Sequence, residues 1–172
     1  MQVAVSYTHL GVLPGVLDTV QINAPGTYQV TLSTTAAVQS VQMLSTGASL
    51  LDTGTLDLAG ALSLGAGLFT LASGGEIVGG TLSTSGGSFD WAGGTLSGAT
   101  YLGTLDLTGT GESLTIANGL SVTGAGGIGT INAAGGATAL DFIGTQTLNN
   151  ALVDMGNTAG GATALNLSLI HI

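Results

Sequence analysis

The chain contains no lysine and no arginine, while its 172 residues include 9 acidic side chains, so its formal charge is −9. Proteins that bind nucleic acid neutralise phosphate groups with lysine and arginine. The composition therefore excludes a nucleic-acid partner. It also excludes binding to anionic lipid surfaces, because basic residues supply that attraction as well.

Cysteine is also missing, which excludes disulfide bonds, thiolate metal sites and a cysteine nucleophile. No apolar run approaches the roughly 18 residues that a membrane span requires, so we expect no membrane insertion in this segment. The first residues lack the cationic start and apolar run of a secretory signal, and any export signal is expected outside this sequence. Hydrophobic residues make up 44 % of the chain and charged residues 5 %, which favours a folded chain over a disordered one.

Short stretches of alternating apolar and polar residues fill most of the sequence. This period of two is typical of β-strands with one buried face. Helices are disfavoured, because the 31 glycines and the many β-branched threonines interrupt nearly every window. Glycine-rich steps between the stretches predict tight turns. The alternating residues are Val20 and Ile22; Tyr28, Val30 and Leu32; Leu56 and Leu58; Leu62 and Leu64; Phe89 and Trp91; Leu105 and Leu107; Leu114 and Ile116; Leu120 and Val122; Leu140 and Phe142; and Leu165, Leu167 and Leu169.

Short motifs recur along the chain. Gly-Thr-Leu-Asp-Leu occurs at 54–58 and at 103–107, and Gly-Gly-Ala-Thr-Ala-Leu occurs at 135–140 and at 160–165. A third recurring unit is a glycine followed by a threonine and an aliphatic residue, at intervals of about 25 residues. Its threonines are Thr55, Thr81, Thr104 and Thr130.

A repeat of about 25 residues made of short strands and glycine-rich corners predicts an all-β fold, a right-handed parallel β-helix (β-solenoid). We expect about 25 residues per coil, about six coils, and stacking of the four repeated threonines. A β-sandwich and a flat β-roll are the alternative folds, but a sandwich gives no reason for the repeat.

The regularity of the repeat divides the chain into four segments. Residues 1–17 are predicted to be an irregular start, 18–49 atypical first coils, 50–166 the regular solenoid, and 167–172 a tail. Both ends resemble translated linker sequence, so we interpret them as non-native ends of an internal fragment. His9 and His171, the two histidines, lie in these ends.

Catalysis requires a nucleophile, or an acid and a base held against each other. No Gly-x-Ser-x-Gly motif is present, and the histidines are confined to the ends. Asp57 and Asp106 occupy equivalent motif positions two coils apart, which predicts a separation of about 10 Å instead of the about 5 Å of a retaining glycosidase pair. We therefore interpret both, and Asp90 as well, as solvated residues on outward strand faces.

No metal or cofactor site is predicted. The segment 135–143 departs from the calcium-binding nonapeptide repeat, because it lacks one glycine and its aspartate is one position late. The match to the dinucleotide motif Gly-x-Gly-x-x-Gly at 124–129 has no helix after it, so we interpret it as a tight corner. A calcium site from scattered oxygen ligands stays open as an alternative. Its ligands would be Asp154 with Asn149, Asn150 or Asn157.

Trp91 is the only tryptophan. Because it alternates with Phe89, both side chains are expected on one face of a strand, and we interpret Trp91 as a core residue. The alternative is an exposed ring on which a sugar stacks. The sequence thus predicts no catalytic, cofactor-binding or metal-binding residue.

Three motifs carry a resemblance to a known class of proteins: Gly-Thr-Leu-Asp-Leu at 54–58, Gly-Gly-Thr-Leu-Ser at 79–83, and Phe-Asp-Trp-Ala-Gly-Gly-Thr-Leu-Ser-Gly at 89–98. Over residues 50–165 the chain resembles the β-strand-repeat passenger regions of large bacterial surface proteins, the autotransporter and filamentous-haemagglutinin-like adhesins. The resemblance implies export from a Gram-negative cell and a long β-helix that acts as a stalk or an adhesive surface.

We therefore expect a non-enzymatic structural or adhesive segment of a secreted or surface-exposed bacterial protein. Its partners would be host or matrix glycans and proteins, or neighbouring coils of the parent chain. The alternative function is a carbohydrate-active β-helix enzyme of the glycoside hydrolase type that uses an Asp/Glu pair. Only the alternative requires a cleft flanked by two carboxylates.

Overall fold

The computed structural model describes residues 2–4, 14–156 and 162–167, and all regular structure in them is β. The strands pair in parallel and stack as a β-solenoid of about seven turns, which confirms the predicted fold class. The strands are β1 (Gln2–Ala4), β2 (Thr19–Ile22), β3 (Tyr28–Leu32), β4 (Thr35–Val38), β5 (Ser40–Met43), β6 (Ala48–Asp52), β7 (Thr55–Leu64), β8 (Leu68–Ala72), β9 (Glu76–Thr84), β10 (Ser88–Leu102), β11 (Thr104–Asp106), β12 (Ser113–Thr123), β13 (Gly129–Ala133), β14 (Ala139–Phe142), β15 (Leu148–Asn149), β16 (Ala151–Met155) and β17 (Ala164–Leu167).

Each coil contributes three short strand segments, and equivalent segments of successive coils pair to form three walls. The long strands β7, β9, β10 and β12 bend at corners and belong to more than one wall. The first wall contains β3, β6, β8 and residues 88–92 of β10. The second wall contains β4, residues 55–58, 76–78, 95–97 and 113–117, β14 and β17. The third wall contains β2, β5, residues 61–64, 81–84, 99–102 and 120–123, and β15.

The coils are shorter than the repeat predicts through most of the chain. Thr55 pairs with Glu76, 21 residues later, whereas the offset rises to 25 between Ala139 and Ala164. The motif repeat at 135–140 and 160–165 is therefore a true coil repeat, and the shorter coils before it make about seven turns instead of about six.

The predicted stack of four threonines is wrong except for its last pair. Thr104 pairs with Thr130, as predicted. Thr55 lies in the second wall, whereas Thr81 lies in the third wall and pairs with Ala61 and Thr100. The Gly-Thr-Leu unit suits any corner that leads into a strand, because glycine supplies the turn and threonine the outward strand position. The recurrence of this unit therefore indicates that a corner is present. It does not show that two such corners occupy the same position in their coils.

Inward side chains form ladders along the solenoid axis. In the second wall, residues in register from coil to coil are all buried: Leu56, Ile77, Leu96, Ile116 and Phe142. Adjacent coils are about 4.8 Å apart, so each apolar side chain packs directly on the next. Burying each one contributes about 1.5–3 kcal/mol relative to exposure, and these ladders form the core.

Glycine at the corners permits close backbone approach between coils. A Cβ atom at Gly54 would lie 2.3 Å from the carbonyl oxygen of Thr34, one coil earlier. No side chain fits at that distance, so the corner between the first and second walls requires glycine there.

Candidate functional site

A break in the first wall produces a cleft in the surface of the molecule. After residue 102 the chain turns through Gly103 alone, with φ at +105°, and enters β11 directly. In the coil before, residues 85–87 make the same turn. The shorter turn displaces β11, which pairs with β13 instead of with residues 88–92.

The displaced segment begins a second, three-stranded sheet of β11, β13 and β16. Along the chain, β11 comes where the earlier coils have their strand of the first wall. Residues 107–112 then lead the chain back to the second wall. Among the described strands, residues 88–91 therefore have partners only in the preceding coil. The gap between this strand edge and the displaced sheet is a cleft.

We call this gap the step cleft; its volume is about 350 Å³. One side comes from the coil of residues 84–101 and the other from the first displaced coil. The lining combines hydroxyl, aromatic and carboxylate side chains. The step cleft is lined by Thr84, Gly87, Ser88, Phe89, Trp91, Tyr101, Thr104, Asp106, Thr108, Gly109 and Glu112.

Three aromatic rings pack against one another at the base of the step cleft. Phe89 and Trp91 are stacked, with ring centroids 4.9 Å apart and an interplanar angle of 7°. The ring of Tyr101 meets both edge-on, at 5.7 Å and 6.2 Å. Trp91 is 0 % exposed, which confirms its predicted core position, and its indole Nε1 has no hydrogen-bond partner.

Glu112 occupies part of the space that the missing strand leaves. Its carboxylate accepts a hydrogen bond of 2.7 Å from the backbone N–H of Gly109 and another from the backbone N–H of Trp91. It therefore satisfies a backbone donor on the strand edge that has no strand beside it.

The acidic groups at the step cleft affect one another. Burial raises the pKa of Glu112 above its usual value, the two backbone hydrogen bonds oppose that rise, and the negative charges of Asp90 and Asp106 add to it. Burial, with a smaller contribution from the charge of Asp106, raises the pKa of Tyr101 to about 12. The chain contains no lysine or arginine to offset this negative charge.

Sequence reasoning identified only part of this site. The shared motif predicts that Asp57 and Asp106 occupy equivalent positions in their coils. Asp57 is exposed in the second wall beside Ala37 and Val78, so the two positions are not equivalent. Asp106 instead shares the step cleft with Glu112. The available signal for Glu112 was the length of the connection 107–112, since the equivalent turns in earlier coils have two or three residues.

Of the remaining sequence candidates, Asp90 lies close enough to the step cleft for its charge to act on Glu112, and the others lie away from the step cleft or outside the described residues. Residues 124–128 form the corner between β12 and β13, as predicted for this motif, and Gly129 begins β13. Asp154 lies in β16, in register with Asn132. Asp90 is partly buried and accepts a hydrogen bond of 3.1 Å from the hydroxyl of Thr70. The candidates outside the described residues are His9, His171 and Asn157.

A fully buried acid lies in the core of the first wall. Asp52 is 0 % exposed and stacks in register between Leu32 and Leu71. Its Oδ1 accepts a hydrogen bond of 3.0 Å from the backbone N–H of Gly54, whereas its Oδ2 has no partner. Burial raises the pKa of Asp52 from 3.8 to about 6, and the bond from Gly54 lowers it by less.

Within the described part of the chain, no group of three or more histidine, cysteine, aspartate or glutamate residues is arranged to hold a metal ion. The same residues include no helix with the length and apolar character to cross a membrane. Comparisons with protein-family models, with curated proteins and with solved structures give no match.

Proposed function

We propose that this chain is a non-enzymatic structural and adhesive segment of a secreted or surface-exposed bacterial β-helical repeat protein. The observation that carries the proposal is the stack of coils itself. The second and third walls continue past the break in the first wall, through β14, β15 and β17, so the solenoid continues as one stack. A fold of this kind holds a surface at a distance from its attachment point, because each coil adds about 4.8 Å of length.

The outward surface supports an extracellular role. In the third wall the outward positions carry uncharged polar or small side chains in most coils, with hydrogen bonds between coils such as that of Gln21 to Gln42. A net charge of −9 with no cationic residues keeps a repetitive β-protein soluble and opposes pairing between copies. Host or matrix glycans and proteins are the partners that this proposal assigns.

Adhesion of coated beads under flow tests the proposal. Beads that carry the full chain would be passed over surfaces coated with mucin, fibronectin, laminin or collagen. Matched beads would carry Leu62→Asp, which puts a charge at a fully buried core position and unfolds the coil. We expect stronger retention of the native chain on at least one surface. Equal retention of both bead types on every surface would refute the adhesive role.

A carbohydrate-active enzyme is the second candidate, because Asp106 and Glu112 line one cleft and the pKa of Glu112 is raised, as a general acid requires. Against it, the Glu112 carboxylate already accepts two backbone hydrogen bonds. Release of reducing ends from neutral and acidic polysaccharides would be measured for the native chain, Asp106→Asn and Glu112→Gln. Release by the native chain that both variants lose would favour the enzyme and contradict the structural proposal.

A further inference from the structure

The edge of β10 at the step cleft carries backbone groups that have no strand beside them. In a parallel pair, successive residues direct their N–H and C=O groups alternately to the two neighbouring strands. Ser88 donates its backbone N–H to the carbonyl oxygen of Gly67 in the preceding coil, so Phe89 and Trp91 direct their backbone groups into the step cleft. The bond from the Trp91 N–H to the Glu112 carboxylate agrees with that direction. None of the described strands pairs with this side of the edge.

The far side of the step cleft is a second strand edge. β11 pairs with β13, and the backbone N–H of Leu107 donates to the carbonyl oxygen of Asn132 on that side. By the same alternation, Thr104 and Asp106, which line the cleft, direct their backbone groups away from β13. The step cleft therefore lies between two strand edges, and an extended chain that enters it meets backbone donors and acceptors.

A strand edge is complementary to the backbone of another extended peptide. An unpaired row of alternating N–H and C=O groups is a template for strand addition, in which main-chain hydrogen bonds supply the affinity. At about 3.3 Å per residue, the edge 88–91 is about 13 Å long and pairs with about four residues. A single sugar or a small cation reaches one or two of these groups, whereas a peptide backbone repeats its donors and acceptors at the same spacing.

The acids at the step cleft determine the charge of the peptide. Asp90 lies on the edge strand, Asp106 lies on β11, and both are close enough to Glu112 for their charges to act on it. The side chains of an added strand alternate between its two faces, and its outward side chains lie between Asp90 and Asp106. No lysine or arginine of this chain offsets the three acids, so a basic outward side chain is attracted and an acidic one is repelled.

The other face of the added strand meets an aromatic ring. Phe89 points inward from the edge strand and is only partly buried, so an apolar side chain next to it covers its exposed part. The preferred segment therefore has a lysine or arginine between apolar residues. A second copy of this chain has no lysine or arginine and cannot supply that segment, so the partner is a different protein.

We propose that the step cleft binds an extended, basic segment of another protein by strand addition. The backbone of the segment pairs with the edge 88–91, a lysine or arginine of the segment lies against Asp106, and an apolar neighbour packs on Phe89. The inference rests on the proposed adhesive function, to which it assigns one class of partner, the basic extended segments of host or matrix proteins.

Titration of the full chain with a designed peptide tests the proposal. The peptide has eight residues of alternating threonine and valine, and its two central threonines are replaced by lysine. Trp91, the only tryptophan, lies at the base of the step cleft, so its fluorescence reports binding at this site while calorimetry gives the affinity. We expect saturable binding, at least about fivefold weaker binding with glutamine in place of both lysines, and none with glutamate. No saturation with the lysine peptide, or equal affinities for the lysine and glutamine peptides, would overturn the proposal.

Three further probes show whether the backbone is recognised. The lysine peptide with every backbone nitrogen methylated keeps its charge but has no backbone N–H to donate. N-acetyl-lysine methylamide carries the charge without an extended chain, and lactose is the neutral sugar. We expect no saturable change with any of the three at concentrations at which the lysine peptide saturates the site. If any of them binds as tightly as the lysine peptide, recognition of an extended backbone is wrong.

Two variants separate the site from the net charge of the chain. Asp106→Asn removes an exposed charge at the cleft, and we expect it to bind the lysine peptide about fivefold more weakly and the glutamine peptide as the native chain does. Asp57→Asn removes an exposed charge in the second wall and is the matched control, which should bind both peptides as the native chain does. Equal affinities of Asp106→Asn and the native chain for the lysine peptide would overturn the contact assigned to Asp106.

The bead assay distinguishes this inference from the function on which it rests. If the native chain binds the lysine peptide while its beads fail to adhere, the peptide site stands and the adhesive function fails. If the beads adhere while no peptide binds, the adhesive function stands and this inference fails. If both are observed, the free lysine peptide should reduce the retention of the native beads, and the fully methylated peptide should not.

Discussion

Replacement of Asp52 by asparagine should stabilise the folded chain at neutral pH. The native carboxyl is fully buried in a ladder of leucines, and only one of its oxygens has a hydrogen-bond partner. Asparagine retains an oxygen that accepts from the backbone N–H of Gly54, and it carries no charge. The substitution therefore removes a buried ionisable group and leaves the turn at Gly54 intact.

The pKa of Asp52 gives the size and sign of the effect. A rise from 3.8 to about 6 corresponds to about 3 kcal/mol between the two protonation states. Because the folded chain holds this proton more tightly than the unfolded chain, the contribution to stability is complete below about pH 4. It declines as the pH rises, and it is lost above about pH 6. The unpaired amide N–H of asparagine lowers the free energy of unfolding by about 1 kcal/mol. The net increase in the free energy of unfolding is therefore about 2 kcal/mol at pH 7.5.

Urea unfolding at several pH values, followed by circular dichroism and by Trp91 fluorescence, measures this effect. Relative to the native chain, Asp52→Asn should be more stable at pH 7.5 and equal or slightly less stable at pH 4. Glu112 also has a raised pKa, but it is present in both chains and cancels in the difference. Asp57→Asn, at an exposed position, should show no comparable change with pH. A difference for Asp52→Asn that is the same at pH 4 and pH 7.5 would refute the argument.

Three further outcomes are expected. Leu62→Ala, at a position that is 0 % exposed, should lower the free energy of unfolding by about 2–5 kcal/mol, whereas Leu44→Ala, at 52 % exposure, should change it by about 0.5 kcal/mol or less in the same urea assay. Gly54→Ala should lower the free energy of unfolding by about 1–3 kcal/mol, because its Cβ would overlap the carbonyl oxygen of Thr34, while Gly156→Ala, whose Cβ would have no atom of the described residues within 4 Å, should leave the thermal midpoint unchanged. An increase in sodium chloride from 0.01 M to 0.5 M should raise the thermal midpoint, since salt screens the repulsion among uncompensated acids; a fall would contradict this account.

The alternation of apolar and polar residues was sufficient to predict strands and their inward faces, and the recurrence of short motifs added parallel stacking. Leu140 and Phe142 are buried on one side of β14, and they stack on Leu165 and Leu167 one coil later. These predictions succeed because the direction of each side chain in a strand depends only on its parity. The buried position of Trp91 followed from the same rule.

The step cleft could not be predicted in the same way. It depends on a turn of one residue at Gly103 and on a longer connection at 107–112, which displace a strand from its wall. The longer spacing at 107–112 is visible in the sequence, but neither segment shows there which strand is displaced or what fills its place. Only the stacking of one coil on another shows that residues 88–91 lose a neighbour and that Glu112 moves into the gap.

Asp52 is an intermediate case. Asp52 alternates with Ala48 and Leu50, so it lies on the same face of the strand as these two residues. Because Leu51 on the opposite face is also apolar, the sequence does not decide which face of the strand is buried. The pairing of β6 with β3 and β8 decides it and buries the acid between Leu32 and Leu71.

The sequence by itself determined that this chain is a parallel β-solenoid with an acidic exterior, because strand parity, glycine corners and charge are local properties. The tertiary structure alone decided the length of each coil, the wall to which each repeated motif belongs, and the neighbours of each acid. Those features depend on register between residues about 21 positions apart. A motif that suits every corner equally well cannot specify that register, so the packing of the buried ladders specifies it instead.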